Sequence, residues 1–163
     1  MKEVLQQCAA YTIWANQHLF DCIGSLTEEQ IDQEITSSFS SIRKTVLHMW
    51  DAESIWWQRL KLAEHIDRPS DTFKGDFAEL GRKLMTQSRQ WEEWVNNATE
   101  NQLNHVFAFQ NTKKELFKQP VYEMLLHISN HGTYHRGQLV TMLRQLGVEK
   151  IPQTDFLIFC RKK

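Results

Sequence analysis

Residues 120–147 read PVYEMLLHISNHGTYHRGQLVTMLRQLG, and the fold is decided here. Met124, Ile128, positions 131 and 135, Leu139, Met142 and Leu146 follow one another in steps of three and four, the spacing of one stripe along an α-helix. Pro120 suits the first helical position, where its missing N–H would have had no partner, and Gly147 suits the far end. The spacing therefore predicts a helix of about 27 residues, roughly 40 Å long. Both intermediate positions on its apolar stripe are histidines, His131 and His135. A buried imidazole has two ring nitrogens to satisfy, and one left unpaired costs about 1 to 3 kcal/mol. Two in succession call for a reason.

The same periodicity runs outward from this helix. Residues 2–23 hold no Gly or Pro and place Leu5, Cys8, Ala9, Thr12, Ile13, Asn16 and Leu19 at helical spacing, with Gly24 as a stop. Thr27 to Gln30 has the form of a capping box ahead of a short helical turn. Ser40 or Ser41 can cap a second long helix to about Ala63, carrying Ile42, Val46, Met49, Trp56 and Leu60. Residues 64–75 include Pro69, Ser70, Asp71 and Gly75 and read as a loop. Asp76 and Glu79 can cap a third helix to about Asn97. Residues 105–117, HVFAFQNTKKELF, suggest a small hairpin turning at Asn111 and Thr112, on the alternation of Val106, Ala108, Glu115 and Phe117. The tail TDFLIF, residues 154–159, reads as a short strand or an extended segment. The expectation is an all-α four-helix bundle with a hairpin insertion between its third and fourth helices, residues 1–163 making a single domain.

Composition narrows the function. Of 163 residues, 41% are apolar and 24% charged, as in an ordinary globular chain. Nineteen Lys and Arg against 20 Asp and Glu give a net charge of −1, which supplies no basic field for nucleic acid or anionic membranes. Cys8, Cys22 and Cys160 are odd in number and far apart, so neither a disulfide framework nor a zinc–cysteine site is expected, and a reducing cytoplasm fits best. No stretch is long and apolar enough for a membrane span or a signal peptide.

Residues i and i+4 of a helix lie about 5 to 6 Å apart at Cβ, so His131 and His135 can converge on one metal ion. His127 continues the series, but three such residues sweep about 80° around the helix and cannot easily aim at one point. The glutamate of the H-E-x-x-H protease motif is missing, since residues 132–134 are Gly, Thr and Tyr. Spacing alone leaves two readings open: a metal pair, or core histidines bonded to each other or to backbone. A third ligand would come from another helix, the candidates being His18, His48, Asp51 and Glu53. Periodicity puts His48 on the flank of the second helix's stripe and Glu53 near its middle, and does not choose between them. Glu53 could also orient a ligand histidine, though a salt bridge with an Arg is the expected role. The six Trp residues read as core. Tyr134 and Arg136 flank His135 and face either a pocket mouth or solvent, and Arg161, Lys162 and Lys163 read as solvated.

HISNHGTYHRGQL (127–139), YTIWAN (11–16) and TVLHMWDAE (45–53) together resemble the DinB family, also called DinB/YfiT-like, over most of the chain and in the right order. HGTYHRGQ is the most specific part. The family takes its name from a damage-inducible bacterial gene product. The resemblance implies an up-down-down-up bundle, often a homodimer, with a divalent metal held by His48, His131 and His135; Zn and Ni both suit such nitrogen ligands. Gly137 matches the family's pattern and would be explained by the close approach of another element. Three imidazoles leave coordination positions open, which suits catalysis. The resemblance therefore implies a metal-dependent enzyme, a hydrolase or a transferase using a low-molecular-weight thiol, acting on a small molecule. A non-catalytic metal-binding or oligomeric stress-response protein is the alternative.

Overall fold

A computed structural model describes residues 1–110 and 113–161. Four long helices, α1 (Lys2–Ile23), α3 (Ile42–Leu60), α4 (Phe77–Asn97) and α6 (Val121–Gln145), carry the core. Between them lie α2 (Glu28–Asp32), a single 3-10 turn (Pro69–Asp71), α5 (Glu100–Asn104) and the strands β1 (Val106–Gln110) and β2 (Leu116–Pro120), and α7 (Phe156–Arg161) follows.

Helix boundaries follow local chemistry. Ser41 Oγ accepts from Lys44 N at the start of α3, and Asp76 Oδ1 accepts from Glu79 N at the start of α4. Thr27 and Gln30 form the expected capping box on α2. Gly147 takes φ +80° just past α6, the left-handed conformation that closes a helix at least cost with glycine. α3 ends at Leu60, three residues short of Ala63.

The packing partners fix the topology. Phe20 of α1 meets Phe77 of α4 edge to face at 6.1 Å, while Leu5 shares a cluster with Trp91 and Val95, so α1 and α4 are antiparallel neighbours. Glu53 bonds Ser88 and Trp57 packs on Trp91, whereas Val46 and Met49 share a cluster with Leu80 and Leu84, so α3 and α4 run parallel. Asn16 meets Arg136, and Leu5 clusters with Leu125, making α1 and α6 parallel. The order is up-down-down-up. Parallel neighbours need a connection that travels the length of the bundle. Residues 61–76 do this by climbing back along α3, with Asp67 bonded to Gln58, Ser70 to Asp51, and Phe73 against Trp50.

Two apolar clusters fill the ends of the bundle. One gathers Leu19, Ile23, Ile42, Val46, Leu80, Leu84, Leu139 and Leu143, the other Leu5, Trp91, Val95, Leu103, Met124 and Leu125. Burial of such side chains contributes about 1.5 to 3 kcal/mol each before entropy is counted. Between the clusters lies a polar layer that includes Thr12, Asn16, Glu53, Ser88, His135 and Arg136, all buried.

Three expectations need correction. Residues 156–161 are helical, not extended: Phe159 seats on Tyr11 and Trp14, and packing overrides the β-leaning composition of FLIF. The hairpin pairs 106–110 with 116–120, and its buried face carries Phe107, while Val106 is exposed. The expected turn at Asn111 and Thr112 lies outside the described residues, as do Lys162 and Lys163. Gly137 faces open space, with nothing within 4 Å of a Cβ built there, whereas a Cβ on Gly132 would lie 3.1 Å from Arg136 Nη1. The close approach is thus at Gly132. No helix among the described residues is long and apolar enough to cross a membrane.

Candidate metal centre

α3 and α6 run antiparallel, which brings the middle of α3 against the histidine stripe of α6. His48 Nε2 lies 3.0 Å from His131 Nε2, and His135 Nε2 lies 3.1 Å from the same atom. Two nitrogens bonded to one ion at about 2.0 to 2.1 Å, with angles of about 90 to 110° between them, would stand about 2.9 to 3.4 Å apart. Both separations fall in that interval. His48, His131 and His135 form the group among the described residues able to offer three ligand atoms to one ion.

Hydrogen bonding alone accounts for this contact less well. His135 Nδ1 lies 2.7 Å from Gln138 Oε1, and Gln138 Nε2 donates to Ser38 Oγ at 2.9 Å. An amide oxygen only accepts, so Nδ1 carries the ring proton of His135 and Nε2 keeps its lone pair. His131 Nε2–H would then have to be shared between two acceptors. A cation at the common point is instead met by three lone pairs. Burial, followed by repulsion from His135, His48 and His127, lowers the His131 pKa to about 3. Burial, with repulsion from His135, also lowers His48 against the opposing pull of Asp51, and burial lowers His135 against its bond to Gln138. The donor set is neutral at pH 7, as metal ligation requires. Phe39 stacks on His48 at 4.2 Å and Tyr134 stands edge-on to His135 at 5.1 Å, giving the cluster aromatic walls.

The remaining candidates lie elsewhere. His18 Nδ1 pairs with the Trp14 carbonyl at 2.9 Å, and the ring is half-buried against Trp14 instead of reaching into solvent. Asp51 caps the 3-10 turn through Ser70 N and Oγ. His127 lies 5.8 Å from the His131 ring and packs on Trp56 instead of joining the three. Tyr134 is exposed, while Arg136 is buried, donating to Asn16 Oδ1 and Thr133 Oγ1 and lying over the Tyr11 ring. Sequence reasoning missed Gln138 as the group that orients His135. Its signal was the i+3 step from a stripe histidine to an amide.

Among the described residues Glu53 makes no salt bridge with an Arg. Its carboxyl oxygens lie 2.9 and 3.0 Å from Ser88 Oγ. Burial raises its pKa to about 8, against the Ser88 bond and the field of Arg136. The folded chain thus keeps a proton that the unfolded chain releases above about 4.5, and stability falls as pH rises from there through about 8. Glu53→Gln mimics the protonated acid. It is expected to match the parent within about 1 kcal/mol at pH 5 and to exceed it at pH 8, as measured by urea unfolding. Equal pH dependence in both proteins would overturn the assignment of a neutral carboxyl.

Fold and cluster together define a class: up-down-down-up helical bundles with a histidine triad between the second and fourth long helices. A sequence profile of the DinB family matches residues 1–162. Protein DinB of Bacillus subtilis (strain 168) is 31% identical over 158 residues, covering 91% of this chain and 89% of that protein. The chain belongs to the DinB family. Among solved structures, a DinB-like protein from Bacillus cereus ATCC 10987 superposes with a TM-score of 0.71 at 19% identity, covering 93% of this chain and 95% of that one. YfiT from Bacillus subtilis, described as "a probable metal-dependent hydrolase with an unusual four-helix bundle topology", gives a TM-score of 0.72 at 17% identity over 90% of each chain.

Proposed function

We propose that the protein is a metal-dependent enzyme acting on a small molecule, with a divalent ion, Zn or Ni, held by His48, His131 and His135. The observation that carries this reading is that His131 Nε2 stands at ligand separations from both His48 Nε2 and His135 Nε2, with one ligand atom from each of the three residues lying within 4.8 Å of the others. The description of YfiT as a probable metal-dependent hydrolase supports the same class. An ion held by three imidazoles supplies a Lewis acid with open positions, able to lower the pKa of bound water toward about 7 or to stabilise a thiolate.

The chain's own residues do the rest. Gln138 holds His135 in the tautomer that presents Nε2, and Ser38 holds Gln138. Such outer partners typically contribute about 10- to 100-fold in metal affinity. Phe39 shields one face of His48 from water. The chemistry is hydrolysis or transfer of a low-molecular-weight thiol to an electrophile. A cytoplasmic location and a homodimer belong to the same reading.

Cobalt(II) reports on open coordination positions. In cobalt-loaded protein, small thiols are expected to bring up a thiolate-to-metal band in the near ultraviolet, and raising the pH to about 9 to alter the visible bands as bound water ionises. A spectrum unmoved by thiols, azide and pH would indicate a closed site and favour the non-catalytic alternative.

A further inference from the structure

The wall of the histidine cluster continues along α3. His48, Ala52, Trp56 and Arg59 follow in steps of four, four and three and so share one face of that helix. His127 bridges the interval, its ring 5.8 Å from His131 and 5.4 Å from Trp56. At the end of this row the Arg59 guanidinium carbon lies 4.5 Å from the Trp56 ring centre and 5.2 Å from that of Phe109 on β1. Those two rings meet edge to face at 4.9 Å.

Arg59 Nη2 donates to the Gln110 carbonyl at 3.0 Å. A guanidinium carries five N–H donors, so this bond leaves most of them for other acceptors. Among the described residues no carboxylate pairs with Arg59, whereas Arg43 has two and Arg68 has one. The group is also half-buried among rings, and burial lowers its pKa. A partly dehydrated cation without a counter-ion is held at a cost that an arriving anion would relieve. The planar edge of a guanidinium matches a carboxylate in two parallel hydrogen bonds, and the flanking rings suit an organic body.

We propose that Arg59, braced by Trp56 and Phe109, forms an anion-recognising subsite that takes the carboxylate of a small organic acid whose reactive end lies at the histidine cluster. This rests on the metal-enzyme reading above. The competing role is purely structural, with Arg59 tying α3 to the hairpin through Gln110.

ω-Mercaptocarboxylic acids of increasing chain length separate the two roles when compared with their amides on cobalt-loaded protein, the thiolate-to-metal band reporting occupancy. At the matching length the acid is expected to bind at least about tenfold more tightly than the amide. Arg59→Gln should bring that ratio to about one while leaving amide affinity unchanged, and Arg59→Lys should retain part of it, keeping the charge but losing the flat edge. Equal binding of acid and amide at every length, or a preference that survives Arg59→Gln, would overturn the proposal. A mercaptoalkylphosphonate binding at least tenfold better than the acid would overturn the carboxylate assignment. A band absent with every thiol would count against the metal reading alone. For that case a second readout needs no metal: benzoate, and not benzamide, should shift the Arg59 Nε–H resonance of labelled metal-free protein, and no shift would overturn the subsite.

Discussion

His131→Ala is expected to take bound divalent metal from about one ion per chain to below one tenth, with affinity falling by more than about a hundredfold. His131 is the most sensitive of the three because its Nε2 is the atom both others approach, at 3.0 and 3.1 Å. Removing it leaves His48 and His135 without the ligand between them. Gln138→Leu should fall in between, at about 10- to 100-fold weaker binding, because it frees the His135 ring to carry its proton on Nε2. His127→Ala is the matched control. It removes an imidazole from the same helix, one turn away, and should leave metal content unchanged. Tag-free protein, loaded and then competed against a chelator, gives the affinities, and circular dichroism checks that the helices persist. Undiminished metal in His131→Ala would dismiss the ligand assignment.

What the sequence discloses about this site depends on which neighbours a helix faces. The α6 stripe could be read in full because one apolar row dominates it, and its two histidines stand out against Met124, Leu139 and Met142, all buried. α3 is harder because it buries two seams. His48 and Trp56 look toward α6, whereas Glu53 and Trp57 look toward α4. A single periodicity averages these, placing Glu53 at the centre of a stripe and His48 at its edge, when each is central to its own interface. Family resemblance singled out His48 where the wheel could not.

Other features fall outside what local patterns encode. The capping box Thr99–Gln102 on α5 has the same T-x-x-Q form as Thr27–Gln30 and was legible in principle, although the short helix behind it has too few residues to show a period. The parallel pairing of α3 with α4 is a matter of how residues 61–76 return along the bundle, and the bonds that guide them, Gln58 to Asp67 and Asp51 to Ser70, link positions 9 and 19 apart. The burial of Arg136 depends on space conceded by Gly132 and on Asn16 from another helix. Apart from the capping box and the Gly132–Arg136 pair, these partners are far apart in sequence.

Acidification is expected to strip the metal and weaken the metal-free fold over the same range. The unfolded chain takes up protons on its histidines below about 6.5, while the folded chain resists because burial and mutual repulsion lower His48 and His135 and take His131 to about 3. Their contribution to stability is therefore complete above about 6.5 and is lost progressively as pH falls toward about 3. Metal affinity follows the same protons. Protons compete for the ion where the folded ligands themselves titrate, His48 and His135 first and His131 last, near 3, so dialysis at pH 7 should retain the ion and dialysis at pH 3 should remove it. Glu53 acts in the opposite sense between about 4.5 and 8 and partly masks the histidine slope. In Glu53→Gln the acid loss of stability should consequently be steeper than in the parent between pH 6.5 and 4.5. Full metal retention at pH 3 would count against ligation by histidine, and identical acid slopes in the two proteins would show that Glu53 ionises normally in the folded chain.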